Sequence, residues 1–303
     1  MCRKFDRVGS MQGQLEQKQP FRRSFQQLCA QPARAFLWLG LVFGVLFLLA
    51  LPPFQVPDEP AHLYRGYQVT AGTIIAERHN AQAGGWLPRS LLETVNIWTS
   101  RVPFRPAEKV QWEQFTATAT LPLNRDDRTF IPFMSSAYSP IPYLPQSLGI
   151  AIGKLFNLPP VFILYLGRFT NLIATTLITY LSIKIIPGYK WIFFLLALTP
   201  MAVNQRSSLS ADALLNSVAF LLIAIIMNFV CNPKVKSISN RDIALMTVLG
   251  VVLSLSKQVY FLIPLLCFLI PQEKFGSRKR YWLAGAIVAL CTTLAWAIWS
   301  NIM

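Results

Sequence analysis

Long apolar runs separated by short basic blocks constrain this chain more than any other feature. Residues 35–51 form an almost unbroken stretch of Leu, Val, Phe and Trp. At about 1.5 Å per residue, such a run just crosses a hydrocarbon core of about 30 Å. Further runs occupy 161–186, 191–203, 211–230, 243–270 and 281–299. The composition agrees: 53% of the 303 residues are hydrophobic and 14% are charged, against about 25% charged in soluble domains. The expected class is an all-α integral membrane protein.

The cations set the expected topology. The net charge is +15, and the excess falls in the tail 1–34, the turn 184–190, the loop 232–241 and the block 273–280. This pattern fits cytoplasmic loops facing anionic lipid rather than the single basic face of a nucleic-acid binder. The region 52–159 is nearly balanced, with nine basic and eight acidic residues, and is expected on the opposite side. Keeping the tail and 184–190 on one side requires an even number of crossings between them. Residues 35–51 and 161–186 supply two, so 139–156, with prolines at Pro140, Pro142 and Pro145, should lie along the outer interface. By the same parity 243–270 should be a tight hairpin with Lys257 at its tip. About seven spans result, with the N-terminus cytoplasmic. A cleaved signal peptide is disfavoured: the basic lead-in is long, and Leu51-Pro52-Pro53 makes a poor cleavage site.

Residues 1–34 have weak apolar periodicity and read as a cytoplasmic basic tail. The span 52–138 mixes charges with Pro, Gly and Trp. A helix is expected over 60–71, with Asp58 or Glu59 as its cap, Pro60 in the first turn and Gly72 beyond its end. Segments 84–88, 101–106 and 124–128 carry loop signals. None of the five cysteines falls in 52–159 and there is no Cys-x-x-Cys pair, which removes a disulfide scaffold there and a zinc ribbon.

Chemistry is expected where the chain leaves the first apolar run. Asp58, Glu59, His62 and Arg65 lie within eight residues. Pro60 pushes Glu59 out of helical geometry, so the two carboxylates can point together into one site. There they could hold a divalent cation, or one could deprotonate an incoming hydroxyl. The plainer reading is a capped helix with Asp58 paired to Arg65 on the surface. Arg168 sits about 12 Å into its run at 1.5 Å per residue; a charge that deep faces a polar cavity or a partner, or snorkels to the headgroups. Lys257 either caps a hairpin in water or reaches an anionic group. Arg206 and Asp212 read as an exposed ion pair. Tyr138 and Tyr143 fit a membrane-anchoring segment.

Several segments together resemble a known family: Phe54-Gln55-Val56-Pro57-Asp58-Glu59-Pro60-Ala61-His62-Leu63-Tyr64-Arg65, then Tyr138-Ser139-Pro140-Ile141-Pro142-Tyr143-Leu144-Pro145-Gln146, Leu166-Gly167-Arg168, Ser210-Ala211-Asp212 and Ser256-Lys257-Gln258. They look like a bacterial family of predicted multi-spanning membrane proteins with a domain of unknown function. That family is similar to the GT-C glycosyltransferases, which include protein mannosyltransferases and the aminoarabinose transferase. The resemblance covers 35–303 and implies a GT-C-like bundle of about seven spans in the bacterial inner membrane, with a mixed extracytoplasmic first loop at 52–159. It implies transfer of a sugar from a polyprenyl-phosphate donor to an envelope glycan or protein. Asp58 and Glu59 would be the catalytic carboxylates or metal partners. Arg168 and Lys257 would face the donor phosphate, supported by His62, Arg65, Tyr138, Tyr143 and Asp212. Family members run on for several more spans, which makes this chain a shortened paralogue, half of a split gene or an inactive form, with a partner subunit supplying the further spans as one expectation. Two other classes stand beside the enzyme. One is a non-catalytic subunit or flippase that binds a lipid-linked glycan. The other is a transporter, ranked last because no inverted repeat is visible.

Overall fold

The computed structural model describes residues 31–99 and 108–302. The basic-tail expectation for residues 1–30, and the whole of the loop expected at 101–106, lie outside these. Four helices among the described residues are long and apolar enough to cross a membrane: α1 (Pro32–Ala50), α6 (Pro160–Ile185), α9 (Ala211–Cys231) and α11 (Arg278–Ile302). Their outward faces carry large apolar side chains such as Trp38, Leu46, Leu49, Leu283, Leu290 and Leu294. A soluble surface does not tolerate such a continuous band, whereas lipid does.

Local chemistry explains the helix limits. Pro32 and Pro160 start α1 and α6 at positions where a missing N–H costs nothing. Pro52 and Pro187 follow their C-termini, where proline cannot continue a helix. Ser210 caps α9 by accepting from the Asp212 N–H at 3.2 Å. Ser239 and Asp242 form a reciprocal capping box at the start of α10 (Asn240–Ser256).

Two expected crossings take an irregular form. Residues 191–203 are not one helix: α7 (Lys190–Ala197) and α8 (Pro200–Arg206) are broken at Leu198 and Thr199 by Pro200. The expected hairpin at 243–270 is α10 followed by a 3-10 helix, Gln258–Leu269, with Lys257 extended between them. Twelve residues at about 2.0 Å each span about 24 Å as a 3-10 helix, against about 18 Å as an α-helix.

The region after α1 folds into a small module. It contains α2 (Glu59–Thr70), α3 (Arg89–Thr99), α4 (Trp112–Ala119) and a three-stranded antiparallel sheet, β1 (Glu77–His79), β2 (Gln82–Pro88) and β3 (Arg128–Pro132), in the order β1-β2-β3. The expected loop at 84–88 is therefore strand β2, paired Gly84 to Pro132 through Pro88 to Arg128. Glycine and proline mask it, because β2 and β3 run along a short sheet whose partner strand is remote in sequence. The module's core of Leu63, Tyr64, Tyr67, Leu87, Leu91 and Trp98 is continuous with Ile150, Ile163 and Leu164 of the bundle. It is not a separate domain.

The 139–156 segment becomes a 3-10 turn (Ile141–Tyr143) and α5 (Leu144–Leu155). Twelve residues reach about 18 Å, too short to cross. Leu144, Leu148, Ile152 and Leu155 are exposed on one side, and Gln146, Ser147, Gly149, Ile150 and Gly153 are buried on the other. The buried side lies so close to α6 that a Cβ at Gly149 would collide with the Leu166 carbonyl oxygen.

α6 is the hub and packs against α1, α5, α7, α8 and α9. Its inner stripe of Arg168, Asn171, Thr175, Thr176, Thr179 and Ser182 is almost wholly buried. Thr175, Thr179 and Ser182 donate to carbonyls one turn back, and Asn171 donates to the Ser208 carbonyl at 2.8 Å. Small polar residues of this kind allow close helix approach and supply hydrogen bonds across it. The ends of the bundle differ in charge. At one end Lys274 donates to the carbonyls of Phe229 and Asn232, and Arg280 to Asn240. The acidic motif after α1 lies at the other.

Candidate functional site

Backbone geometry at Asp58 separates the two carboxylates. Asp58 has φ 60° and ψ 5°, the left-handed region that Asp tolerates better than most residues. It sits at the expected cap position of α2, yet its side chain makes no cap hydrogen bond. Asp58 is exposed, whereas Glu59 is 0% exposed. The expected convergence of both carboxylates does not occur, because the left-handed residue turns one outward and the helix start turns the other inward.

Glu59 and Arg168 satisfy each other. Glu59 Oε1 accepts from Arg168 Nε at 2.8 Å and from the Leu209 N–H at 3.0 Å. Its Oε2 accepts from Arg168 Nη2 at 2.6 Å and from the Phe54 N–H at 2.9 Å. The remaining Arg168 donors reach the carbonyls of Leu48, Leu51 and Pro52. Arg168 is 0% exposed, so it does not snorkel. The pair is a fully hydrogen-bonded knot joining the end of α1, the start of α2, the middle of α6 and the approach to α9.

Arg65 does not pair with Asp58. It is fully buried and donates to the Tyr138 carbonyl at 3.0 and 2.7 Å, the Ile74 carbonyl at 2.6 Å and Gln68 Oε1 at 3.0 Å. Its role is to fix the Tyr138 segment against α2. Ser135 Oγ adds a bond to the Ala61 carbonyl at 2.8 Å.

A second set of polar groups gathers beside this knot. His62 Nδ1 lies 2.9 Å from the Tyr143 hydroxyl. Burial pushes the His62 imidazole below its ordinary pKa, against the opposing pull of Asp58, Asp212 and Glu59. Burial also raises the Tyr143 phenol. Lys257 Nζ donates to Asp212 Oδ1 at 2.9 Å, so Asp212 pairs with Lys257 rather than with Arg206. The two side chains remain 44% and 35% exposed. The His62 backbone N–H donates to the Asp58 carbonyl, and the Ile141–Tyr143 turn packs on α9, which begins at the Asp212–Lys257 pair; the exposed carboxylate, the imidazole and the ion pair therefore share one neighbourhood.

A cleft of about 350 Å³ opens next to Lys257, lined by Tyr138, Ser139, Ser256, Gln258, Trp296 and Trp299 among others. That volume suits a small-molecule ligand. Trp299 Nε1 donates to the Ala137 carbonyl at 3.1 Å and ties the end of α11 to the module. Trp296 stacks on Phe261, with centroids 5.4 Å apart and planes 14° apart. Sequence reasoning passed over both tryptophans, because paired Trp at the end of an apolar run reads as an interfacial belt. Their spacing of three residues was the available signal, since it puts both on one helix face.

The residues do not make a cation cage. Glu59 has no acceptor position left, which leaves Asp58 without its expected partner. Among the described residues no group of three or more His, Cys, Asp or Glu side chains gathers where a metal ion could be held.

A family model for a predicted membrane protein, DUF2142, matches residues 41–303. That match contains the acidic motif, the Glu59–Arg168 knot, the Asp212–Lys257 pair and both tryptophans. No curated protein and no solved structure matches the chain. With four membrane-length helices and most of its length inside the match, this multi-pass membrane protein belongs to the DUF2142 family of predicted membrane proteins.

Proposed function

We propose that the protein is a membrane glycosyltransferase of GT-C type. It moves a sugar from a polyprenyl-phosphate donor to an envelope glycan or protein acceptor on the extracytoplasmic side of the bacterial inner membrane. The observation that carries the reading is the neighbourhood of exposed Asp58, His62 and the Asp212–Lys257 pair beside the tryptophan-lined cleft. In this reading the chain crosses seven times, through α1, α6, α7 with α8, α9, α10, the 3-10 helix Gln258–Leu269 and α11. Its N-terminus and basic end face the cytoplasm.

Asp58 takes the proton from the acceptor hydroxyl, and the resulting oxygen attacks the anomeric carbon. The bond from that carbon to the phosphate oxygen breaks, and the electron pair leaves with the carrier phosphate. Lys257, held by Asp212, stabilises the charge growing on that phosphate. Glu59 and Arg168 act as positioning residues, because every donor and acceptor they own is already engaged. His62 and Tyr143 orient Asp58's surroundings, and Arg65 holds Tyr138 at the mouth of the cleft.

A second reading, a non-catalytic subunit or flippase that binds a lipid-linked glycan, is favoured by one observation. Lys257 is already neutralised by Asp212, which suits holding a headgroup more than driving its departure. The two readings part on Asp58→Asn assayed in proteoliposomes with a synthetic polyprenyl-phosphate sugar. An enzyme loses transfer at least a hundredfold while donor binding stays within about threefold of wild type. Unchanged transfer in Asp58→Asn sinks the catalytic assignment, and donor binding without transfer by the wild type supports the second reading.

A further inference from the structure

Arginine 206 is the unexplained charge of this fold. The other two buried arginines are saturated: Arg168 spends its donors on Glu59 and three carbonyls, and Arg65 on three carbonyls and an amide. Arg206 is 5% exposed, yet among the described residues its one hydrogen bond goes to the Ala197 carbonyl at 2.5 Å. Its Nε is buried with no partner. No carboxylate pairs with it among the described residues. The ring of Phe36, 5.4 Å from the guanidinium, softens the charge without neutralising it.

The bond to Ala197 has a structural purpose. The break between α7 and α8 leaves helix-end carbonyls without intrahelical partners, and Arg206 covers one of them. That accounts for a single donor. A guanidinium carries five and stays protonated, and an uncompensated charge in a protein interior is costly.

Next to it lies a cavity of about 80 Å³. Arg206, Gln205, Asn216, Ser217 and Thr179 bring polar groups to its wall, and Leu196 and Phe220 bring apolar ones. It is walled by α7 and α8 on one side and by α6 and α9, two of the four membrane-length helices, on the other. Asn216 Nδ2 donates to Gln205 Oε1 at 2.8 Å, which keeps both amides on the cavity wall. A single water needs about 10–15 Å³ by this measure, so the space holds a small ion with a few waters. Sugar or lipid-headgroup sites run to about 300 Å³ and more, so neither fits.

We infer that the cavity beside Arg206 is a binding site for a small monovalent inorganic anion of chloride size, which supplies the counter-charge that none of the described residues does. The site is separate from the Lys257 cleft and does not depend on the glycosyl-transfer reading.

The test uses the full chain in nanodiscs, with sodium gluconate exchanged for sodium chloride at constant ionic strength, and reads ³⁵Cl NMR line broadening. The wild type should give a saturable excess linewidth, displaced by bromide. Arg206→Gln should weaken the apparent chloride affinity at least tenfold. Ala202→Leu, which fills the cavity while leaving the guanidinium in place, should do the same and carries the test if Arg206→Gln does not fold. An excess linewidth that stays constant as chloride rises in the wild type, the sign of binding that does not saturate, overturns the inference. So does a saturable signal retained in both variants.

Discussion

Replacing Glu59 by glutamine keeps the shape of the side chain and removes its charge. Four hydrogen bonds converge on the carboxylate, two of them from Arg168 at 2.8 and 2.6 Å. An amide offers one acceptor oxygen where two stood, and its NH2 faces donors. At least one buried N–H loses its partner, and the guanidinium of Arg168, 0% exposed, loses its counter-charge. Breaking a buried pair from one side costs about 3–5 kcal/mol, a large share of the 5–15 kcal/mol that about covers a folded domain. Unfolding in mixed micelles with rising SDS fraction, followed by circular dichroism, measures it. Arg168→Met should cost a similar amount. The double variant should lose less than the sum by about 2 kcal/mol, since the second substitution removes the stranded charge. Asp58→Asn serves as the contrast: its side chain is exposed and makes no cap bond, so it should stay within about 0.5 kcal/mol of wild type. A Glu59→Gln loss below about 1 kcal/mol, or strict additivity in the double variant, refutes the reasoning.

Three further outcomes are expected. Gly149→Val should destabilise by about 1–3 kcal/mol through overpacking, because the new Cβ meets the backbone of α6 at Leu166; micelle unfolding with Gly149→Ala as an intermediate step reads it. His62 has a folded pKa below its ordinary 6.5, so the unfolded chain binds more protons in the window between the two values. The stability tied to neutral His62 is then fully present above pH 6.5 and falls as pH drops through the lowered folded value; thermal unfolding at pH 5 and 7.5 should show a smaller pH difference in His62→Gln. Asp212→Asn should change stability by about 0–1 kcal/mol, as expected of a pair this exposed, while weakening binding of a polyprenyl phosphate measured by tryptophan quenching at Trp296 and Trp299.

The apolar runs and basic blocks carried most of the architecture. Residues 35–51, 161–186, 211–230 and 281–299 reappear as the four membrane-length helices, and charge parity kept α5 from being counted as a crossing. Periodicity could not resolve the α7–α8 break or the 3-10 helix, because a uniformly apolar run has no polar face to mark its pitch. The β-sheet was hidden for a different reason: Gly84, Gly85 and Pro88 are turn formers by composition, and pairing with the distant Arg128–Pro132 strand, joined at Gly84 by Glu77 of β1, makes them extended. At the site, adjacency was the misleading signal. Asp58 and Glu59 are neighbours in sequence, yet one left-handed residue sends them to opposite environments. The Arg168 partner lies 109 residues from Glu59, beyond any local pattern.

That separation bears on how the chain is made. Glu59 reaches the ribosome exit long before Arg168, and longer still before Leu209, whose N–H it also receives. Until those arrive, its carboxylate can only wait in water at the membrane surface, with the acidic turn undocked. Docking of the motif therefore reports that α1, α6 and the lead-in to α9 have all been inserted.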